Sequence, residues 1–223
     1  MINIGIIGNG YVGKATALMA KGHNVKFHDN DESKSDCSLL ELASFSDLIF
    51  VCVPTPMNED GSCCTDIVRM VASKLRTYGV GSDKVVIRST VPVGTCDEFE
   101  CNFMPEFLTE KNWEQDVINC KEWVFGVYDK KNFNKSLIEK LISGPRIHYC
   151  TTQEAELCKY VRNCFLATKV SFFNEIYEFC EKSNLDYEEV KHLTLLDKRI
   201  NSSHTQIPGP DGKKGFGGTC FPK

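Results

Sequence analysis

Cys220 stands in the run Gly215-Phe216-Gly217-Gly218-Thr219-Cys220-Phe221-Pro222-Lys223. Glycines around a thiol let the backbone come close to a bound substrate and aim bare N–H groups at it. Such an electropositive setting lowers a thiol pKa and so favours the nucleophilic thiolate. Taken alone, the segment serves equally well as a tail around a small buried hydrophobe. Further back, Glu156, Lys159 and Asn163 lie at i, i+3 and i+7 of a long helical pattern, so they share one face. A lysine and an amide on one face can receive a developing oxyanion, although a lysine with no such neighbours would read as a solvated surface residue.

The other end of the chain carries different chemistry. Met1 to Ile7 is a short apolar run of strand type, Gly8-Asn9-Gly10-Tyr11-Val12-Gly13 follows at once, and Lys14 to Ala20 reads as helix. In strand–turn–helix order the first glycine makes the tight turn, the second clears space for a pyrophosphate, and the third lets helix pack on strand. The next strand, Asn24 to His28, ends at Asp29, close to the distance expected for an acid that binds the adenosine ribose hydroxyls. A carboxylate there favours NAD over NADP by repelling a 2′-phosphate. Lys34 tempers that, since a nearby cation could tolerate the phosphate or pair with the adenosine end, and Asp29 could also be a solvated residue of the charged run 29–36.

These groups need a scaffold, and the composition permits one. A chain of 223 residues has room for one large domain or two small ones. The net charge of −4 comes from interspersed acids and bases, which offers no basic face for nucleic acid or an anionic membrane. There is no basic leader with an apolar core and no apolar stretch near the ~20 residues of a membrane span, so a cytoplasmic location is expected. The twelve cysteines form no CxxC pair, and the only close couple is Cys63-Cys64. Zinc and thioredoxin-like sites are therefore not expected, Cys37, Cys52, Cys96, Cys101, Cys120, Cys150, Cys158, Cys164 and Cys180 read as reduced thiols, and the five scattered histidines suggest no metal site.

Asp47 to Val53 is an almost unbroken apolar run, as expected of a parallel strand buried on both faces, and it stops at Pro54-Thr55-Pro56. A helix over 65–78, a strand over 84–89 followed by the loop Thr90-Val91-Pro92-Val93-Gly94-Thr95, strand-like 102–105, a strand over 123–127 and a helix over 132–142 continue the alternation. This predicts an α/β, doubly wound, Rossmann-type domain over 1–150. Residues 151–223 then form a second segment. A helix over 152–182, about 45 Å long at 1.5 Å per residue, would bridge domains or subunits. Another helix is expected over 186–199, then a loop through Pro208-Gly209-Pro210-Asp211-Gly212 to the cysteine. Phe165, Leu166, Val170, Phe172 and Phe173 read as helix core.

Strand C-termini are where such sheets bind ligands, so Pro54-Thr55-Pro56, Ser89 to Thr95 and Pro105-Glu106-Phe107-Leu108-Thr109-Glu110 should converge on one crevice. With the glycine turn, the Glu156–Glu175 helix and the Cys220 segment they make six ordered blocks, and the chain resembles the nucleotide-sugar dehydrogenase family. The resemblance implies a Rossmann-type domain with a long helix and a small helical segment of 6-phosphogluconate-dehydrogenase type. It implies a homodimer through that helix, and NAD held by residues 8–13, Asp29, Lys34, Val53, Pro54, Thr55, Ser89, Thr90 and Glu110. The implied reaction is four-electron oxidation of a sugar C6 alcohol to the carboxylate through a thioester on Cys220, with UDP-glucose first among substrates and GDP-mannose or another UDP-hexose as alternatives. Lys159 and Asn163 would stabilise oxyanions, Glu106 would act as acid/base, and Thr90 and Glu110 would position water or the nicotinamide end. Phe107, Leu108, Phe216 and Gly217 would line the sugar site, and Arg199 would reach it from a neighbouring subunit. Two departures are visible. The stretch from Lys34 to Asp47 is short, so the helix usual there should be missing or reduced. Longer members also continue past Lys223 with an aspartate and a UDP-holding domain, so an NAD-binding dimer module without turnover is the reading from another class.

Overall fold

A computed structural model describes residues 1–109, 111–209 and 212–217. Seven strands form one sheet: β1 (Asn3–Ile7), β2 (Asn24–His28), β3 (Leu48–Val51), β4 (Val85–Ile87), β5 (Asn102–Phe103), β6 (Glu122–Val127) and β7 (Arg146–Thr151). Their spatial order is β2-β1-β3-β4-β5-β6-β7, parallel throughout except where β6 runs antiparallel to β5. The helices are α1 (Tyr11–Met19), α2 (Leu39–Phe45), α3 (Asp66–Thr77), α4 (Thr95–Glu98), α5 (Trp113–Ile118), α6 (Lys135–Leu141), α7 (Thr152–Ser183) and α8 (Tyr187–Thr194). The described chain divides into compact units at 1–159 and 160–223, with α7 beginning in the first and continuing through the second.

In the first unit the period-two alternation of the strands sends side chains to two cores. Ile4, Ile6, Leu48 and Phe50 meet Met104, Trp123, Phe125, Ile138 and Leu141 on one face, while Ile7, Ile49 and Val51 meet Leu42, Val71, Leu75 and Phe103 on the other. That double burial is why Leu48 to Val51 is apolar without a break; each such side chain contributes roughly 1.5–3 kcal/mol.

Several elements depart from the sequence reading. The 34–47 stretch does hold a helix, the two-turn α2. It is nucleated by a capping box in which Ser38 Oγ accepts from Glu41 N at 3.3 Å and the Glu41 carboxylate accepts from Ser38 N at 2.8 Å. A helix is therefore present in this stretch. β7 was not anticipated, because Arg146 to Thr151 mixes charged, polar and half-buried positions along one edge of the sheet. The helix expected over 186–199 stops at Thr194, and beyond it Asp197 Oδ1 takes the Arg199 N–H at 3.0 Å in a local turn. Of the phenylalanines expected in helix core, Phe173 is 4% exposed, but Phe165 is 67% and Phe172 55% exposed. Sequence period alone could not separate a face turned to this chain's own core from one left uncovered.

The second unit has its own small core of Phe173, Cys180, Tyr187 and Ile207. Tyr187 donates its hydroxyl to Thr205 O at 2.6 Å. Among the described residues no helix is long and apolar enough to cross a membrane, and no group of His, Cys, Asp or Glu could hold a metal ion.

Candidate active site

The glycine turn after β1 is built as the dinucleotide reading requires. Gly8 sits at φ +97°, where a Cβ would come within 2.6 Å of Cys52 O. A Cβ on Gly13 would lie 2.0 Å from Gly8 O, so helix α1 can start this close to β1 only with glycine there. Gly10 caps α1 without a side-chain hydrogen bond, and a Cβ built on it meets nothing within 4 Å. The first turn of α1, with Tyr11 and Val12, thus begins beside open space at Gly10, and helix starts of this kind are where phosphates bind.

Asn9 ties this turn to the segment after β2. Its backbone N–H donates to Asp29 Oδ2 at 2.7 Å and its amide Nδ2 donates to the Lys34 carbonyl at 2.9 Å. Asp29 Oδ1 also accepts from Asp31 N at 3.0 Å. Burial alone would raise the Asp29 carboxyl, but the N–H groups of Asn9 and Asp31 and the nearby Lys34 charge outweigh it and hold the group below its ordinary value. Lys34 does not pair with Asp29; its ammonium lies 2.9 Å from Asp31 Oδ2. The segment therefore presents a fixed carboxylate with acceptor capacity remaining, and the residues present fit NAD.

The loops after β3 and β4 are tied together. Thr55 donates to Thr90 O at 2.9 Å, Ser89 to Val53 O at 2.6 Å and the Cys63 thiol to Thr90 O at 3.6 Å. Val53 and Pro54 lie in this same knot, directly beyond β3.

After β5 the chain runs through Pro105 to Glu106, which is 3% exposed. Glu106 Oε2 accepts from Leu108 N at 2.9 Å, and Lys159, also 3% exposed, donates from Nζ to Glu106 O at 2.5 Å and to Oε1 at 3.0 Å. The same ammonium stands 5.6 Å from the centre of the Phe107 ring. A wholly buried ion pair survives only when hydrogen bonds satisfy both partners, as here. One turn earlier on α7, the fully buried Glu156 accepts from Gly94 N at 2.6 Å and Cys96 N at 2.8 Å. Asn163 follows one turn after Lys159 and is half-buried.

In the second unit Arg199 is exposed and grips Asp197, with Nε 3.0 Å from both carboxylate oxygens. Phe216 and Gly217 are exposed, and the segment leading to them is anchored by Gly215 N donating to Asn174 Oδ1 at 2.8 Å. Glu110 and Cys220 lie outside the described residues. Among the described thiols, burial pushes Cys52 up to about 11 and Cys101 up to about 12, which leaves both protonated and unreactive near neutrality.

The helix pattern shows Glu156 but not its partners, the Gly94 and Cys96 N–H groups 62 and 60 positions away in the chain. Asn174 carries no signal beyond the helix it stands in. Arg88 is 1% exposed over the Trp123 ring and contacts the sulfurs of Met19 and Met104 at 3.6 and 3.7 Å, an arrangement no local pattern signals.

A glycine turn at the β1–α1 junction, a fixed carboxylate after β2 and loops beyond the C-termini of β3, β4 and β5 define a dinucleotide-binding α/β protein of dehydrogenase type. Residues 36–143 match the NAD binding domain, and residues 153–223 the central domain, of the UDP-glucose/GDP-mannose dehydrogenase family. The chain belongs to that family, and its cofactor is NAD. It is 30% identical to a UDP-glucose 6-dehydrogenase of Rickettsia bellii and 32% identical to UDP-glucose 6-dehydrogenase YwqF of Bacillus subtilis. Both matches take in all of this chain but only 61% and 60% of those proteins. The alignments run over 270 positions although the chain has 223 residues, so the relatives carry segments that it lacks. The solved structure of a UDP-glucose dehydrogenase from Pyrobaculum islandicum superposes with a TM-score of 0.82 at 27% identity, covering 99% of this chain and 61% of that one.

Proposed function

We propose that the chain catalyses, or supplies the catalytic core for, NAD-dependent oxidation of the C6 alcohol of UDP-glucose to the carboxylate. The observation that carries this reading is the buried Lys159–Glu106 pair directly beyond the C-terminal end of β5. Bound NAD supplies the hydride acceptor, twice per sugar. Glu106 takes or returns the hydroxyl proton, and Lys159, with Asn163 a turn further on, holds the oxyanion; each well-placed donor of this kind is worth ~3–4 kcal/mol. The Cys220 thiolate bonds to C6 at the aldehyde level as a thiohemiacetal, and the thioester formed by the second oxidation is cleaved by water to free thiol and carboxylate. Thr90 positions water or the nicotinamide end, Phe107, Leu108, Phe216 and Gly217 contribute to the sugar site, and Arg199 reaches that site from a second copy of the chain.

The test is a stoichiometry. The full chain with UDP-glucose should release two NADH per sugar, and Cys220→Ser should make no carboxylate; a variant that released UDP-glucuronate at the parent rate would exclude the thioester. GDP-mannose and an N-acetylated UDP-hexose, offered in parallel, decide the substrate, and the Glu106–Glu110 loop leans away from the N-acetylated type.

Dimer formation goes with this reading. Leu157, Val161, Phe165, Phe172 and Phe179 project from one face of α7, each 52–67% exposed, which suits burial against the same face of a second copy. A reading of another class, an NAD-binding dimer module without turnover, needs only the Gly8–Gly13 turn and Asp29. Separate calorimetric titrations with NAD and UDP-glucose distinguish the two, because the module binds NAD alone.

A further inference from the structure

We propose that Glu156 is a positioning residue that sets the register between the turn carrying Thr90 and the helix carrying Lys159. This rests on the dehydrogenase reading above. The geometry is a clamp. Gly94 lies at φ +92° and caps the short helix α4. Its N–H and that of Cys96 both donate to the Glu156 carboxylate, at 2.6 and 2.8 Å, and that side chain is wholly buried. The first turn of α7 grips the same place a second time, since Thr152 Oγ1 donates to Asp97 and Gln153 Nε2 donates to Asp97 Oδ2 at 2.7 Å. At the other end of the turn, Thr90 O is held by Thr55 and Cys63. Residues 90–97 are therefore bolted at both ends, and one of the bolts is α7.

Lys159 follows Glu156 by one turn and holds Glu106 at the end of β5. The stretch 152–159 thus joins the loop after β4 to the loop after β5 through a single rigid element, and any slip of one loop displaces the other.

The residue type argues for positioning over mere packing. An isolated buried carboxylate is costly, and an apolar residue would fill the same space without that penalty. The cost is met by two charge-assisted bonds from backbone N–H groups that no side-chain substitution on the loop can remove. Burial raises the Glu156 carboxyl while the Gly94 and Cys96 N–H groups oppose the rise.

The experiment uses the full chain with Glu156→Gln, which is nearly isosteric, and Glu156→Asp, which keeps the charge and remains informative if the first variant folds poorly. Loss of charge-assisted bonds should speed amide exchange at Gly94 and Cys96 roughly tenfold or more in Glu156→Gln. Turnover should fall by about tenfold or more while the dissociation constant for NAD stays within about threefold, because the Gly8–Gly13 turn makes none of these contacts. Glu156→Asp should recover part of both losses. Unchanged exchange, or faster exchange with unchanged turnover, overturns the proposal. If the parent chain makes no NADH from any nucleotide sugar, the dehydrogenase reading fails separately. Positioning is then read at the Thr90 amide: NAD slows its exchange in the parent but not in Glu156→Gln if the clamp acts, and equally in both if it does not.

Discussion

Lys159→Met tests whether the pair beside β5 is an interdependent unit. Both side chains are 3% exposed, and the ammonium makes two contacts with Glu106, at 2.5 and 3.0 Å. Removing the lysine leaves a carboxylate that keeps only the Leu108 N–H at 2.9 Å. An uncompensated buried charge of this kind costs about 3–5 kcal/mol, a large part of the ~5–15 kcal/mol that holds a domain together. For a chain of this size that lowers the midpoint of thermal unfolding by roughly 6–20 °C. Glu106→Gln has a different effect, since its amide oxygen can still accept from Leu108 N while the lysine loses its charged partner. In the double variant neither charge remains to be stranded, so it should be more stable than the sum of the single changes predicts, with a coupling of about 2–3 kcal/mol. Urea unfolding of the four proteins measures that coupling. Additivity within about 0.5 kcal/mol would show that the two groups do not depend on each other and would refute the pair as a unit.

Gly13→Ala places a Cβ 2.0 Å from Gly8 O; the overpacking should cost about 1–3 kcal/mol and weaken NAD binding, and a variant that matches the parent in melting and in NAD calorimetry would contradict this account of the turn. Asp29→Asn should weaken NAD binding by roughly tenfold or more, since hydrogen bonds to a charged acceptor are the stronger kind. The Asp29 carboxyl is held below 3.8, so its contribution to folding is fully present above pH 3.8 and is lost as pH falls through the lower folded value. An NMR titration placing that carboxyl at or above 3.8 would contradict the assignment. Phe165→Glu with Phe172→Glu, two residues 67% and 55% exposed on α7, should give a monomer in sedimentation equilibrium where the parent sediments as a dimer, and should remove the dependence of the melting point on protein concentration.

Much of the scaffold was open to reading from local pattern. Leu48 to Val51 announces a strand covered on both faces because four successive apolar residues leave no solvent side, and Gly8 to Gly13 announces its turn because only glycine permits φ +97° at the first position and a 2.0 Å approach at the last. The capping box Ser38-x-x-Glu41 was equally local, so the helix thought missing or reduced was recoverable from the pattern. β7 was not, since a half-exposed edge strand carries no strong period.

The types and order of the chemical groups were set by sequence alone: a glycine turn, an acid at the end of the second strand, loops at strand ends, and Glu156, Lys159 and Asn163 on one helical face. Which groups meet was decided by tertiary structure. Lys159 reaches Glu106 across 53 positions and Glu156 reaches Gly94 across 62, and no propensity or spacing encodes a contact between elements so far apart. Whether Phe173 is covered and Phe165 is not was settled in the same way. Both have the same apolar side chain, and burial depends on what the rest of the chain brings against it.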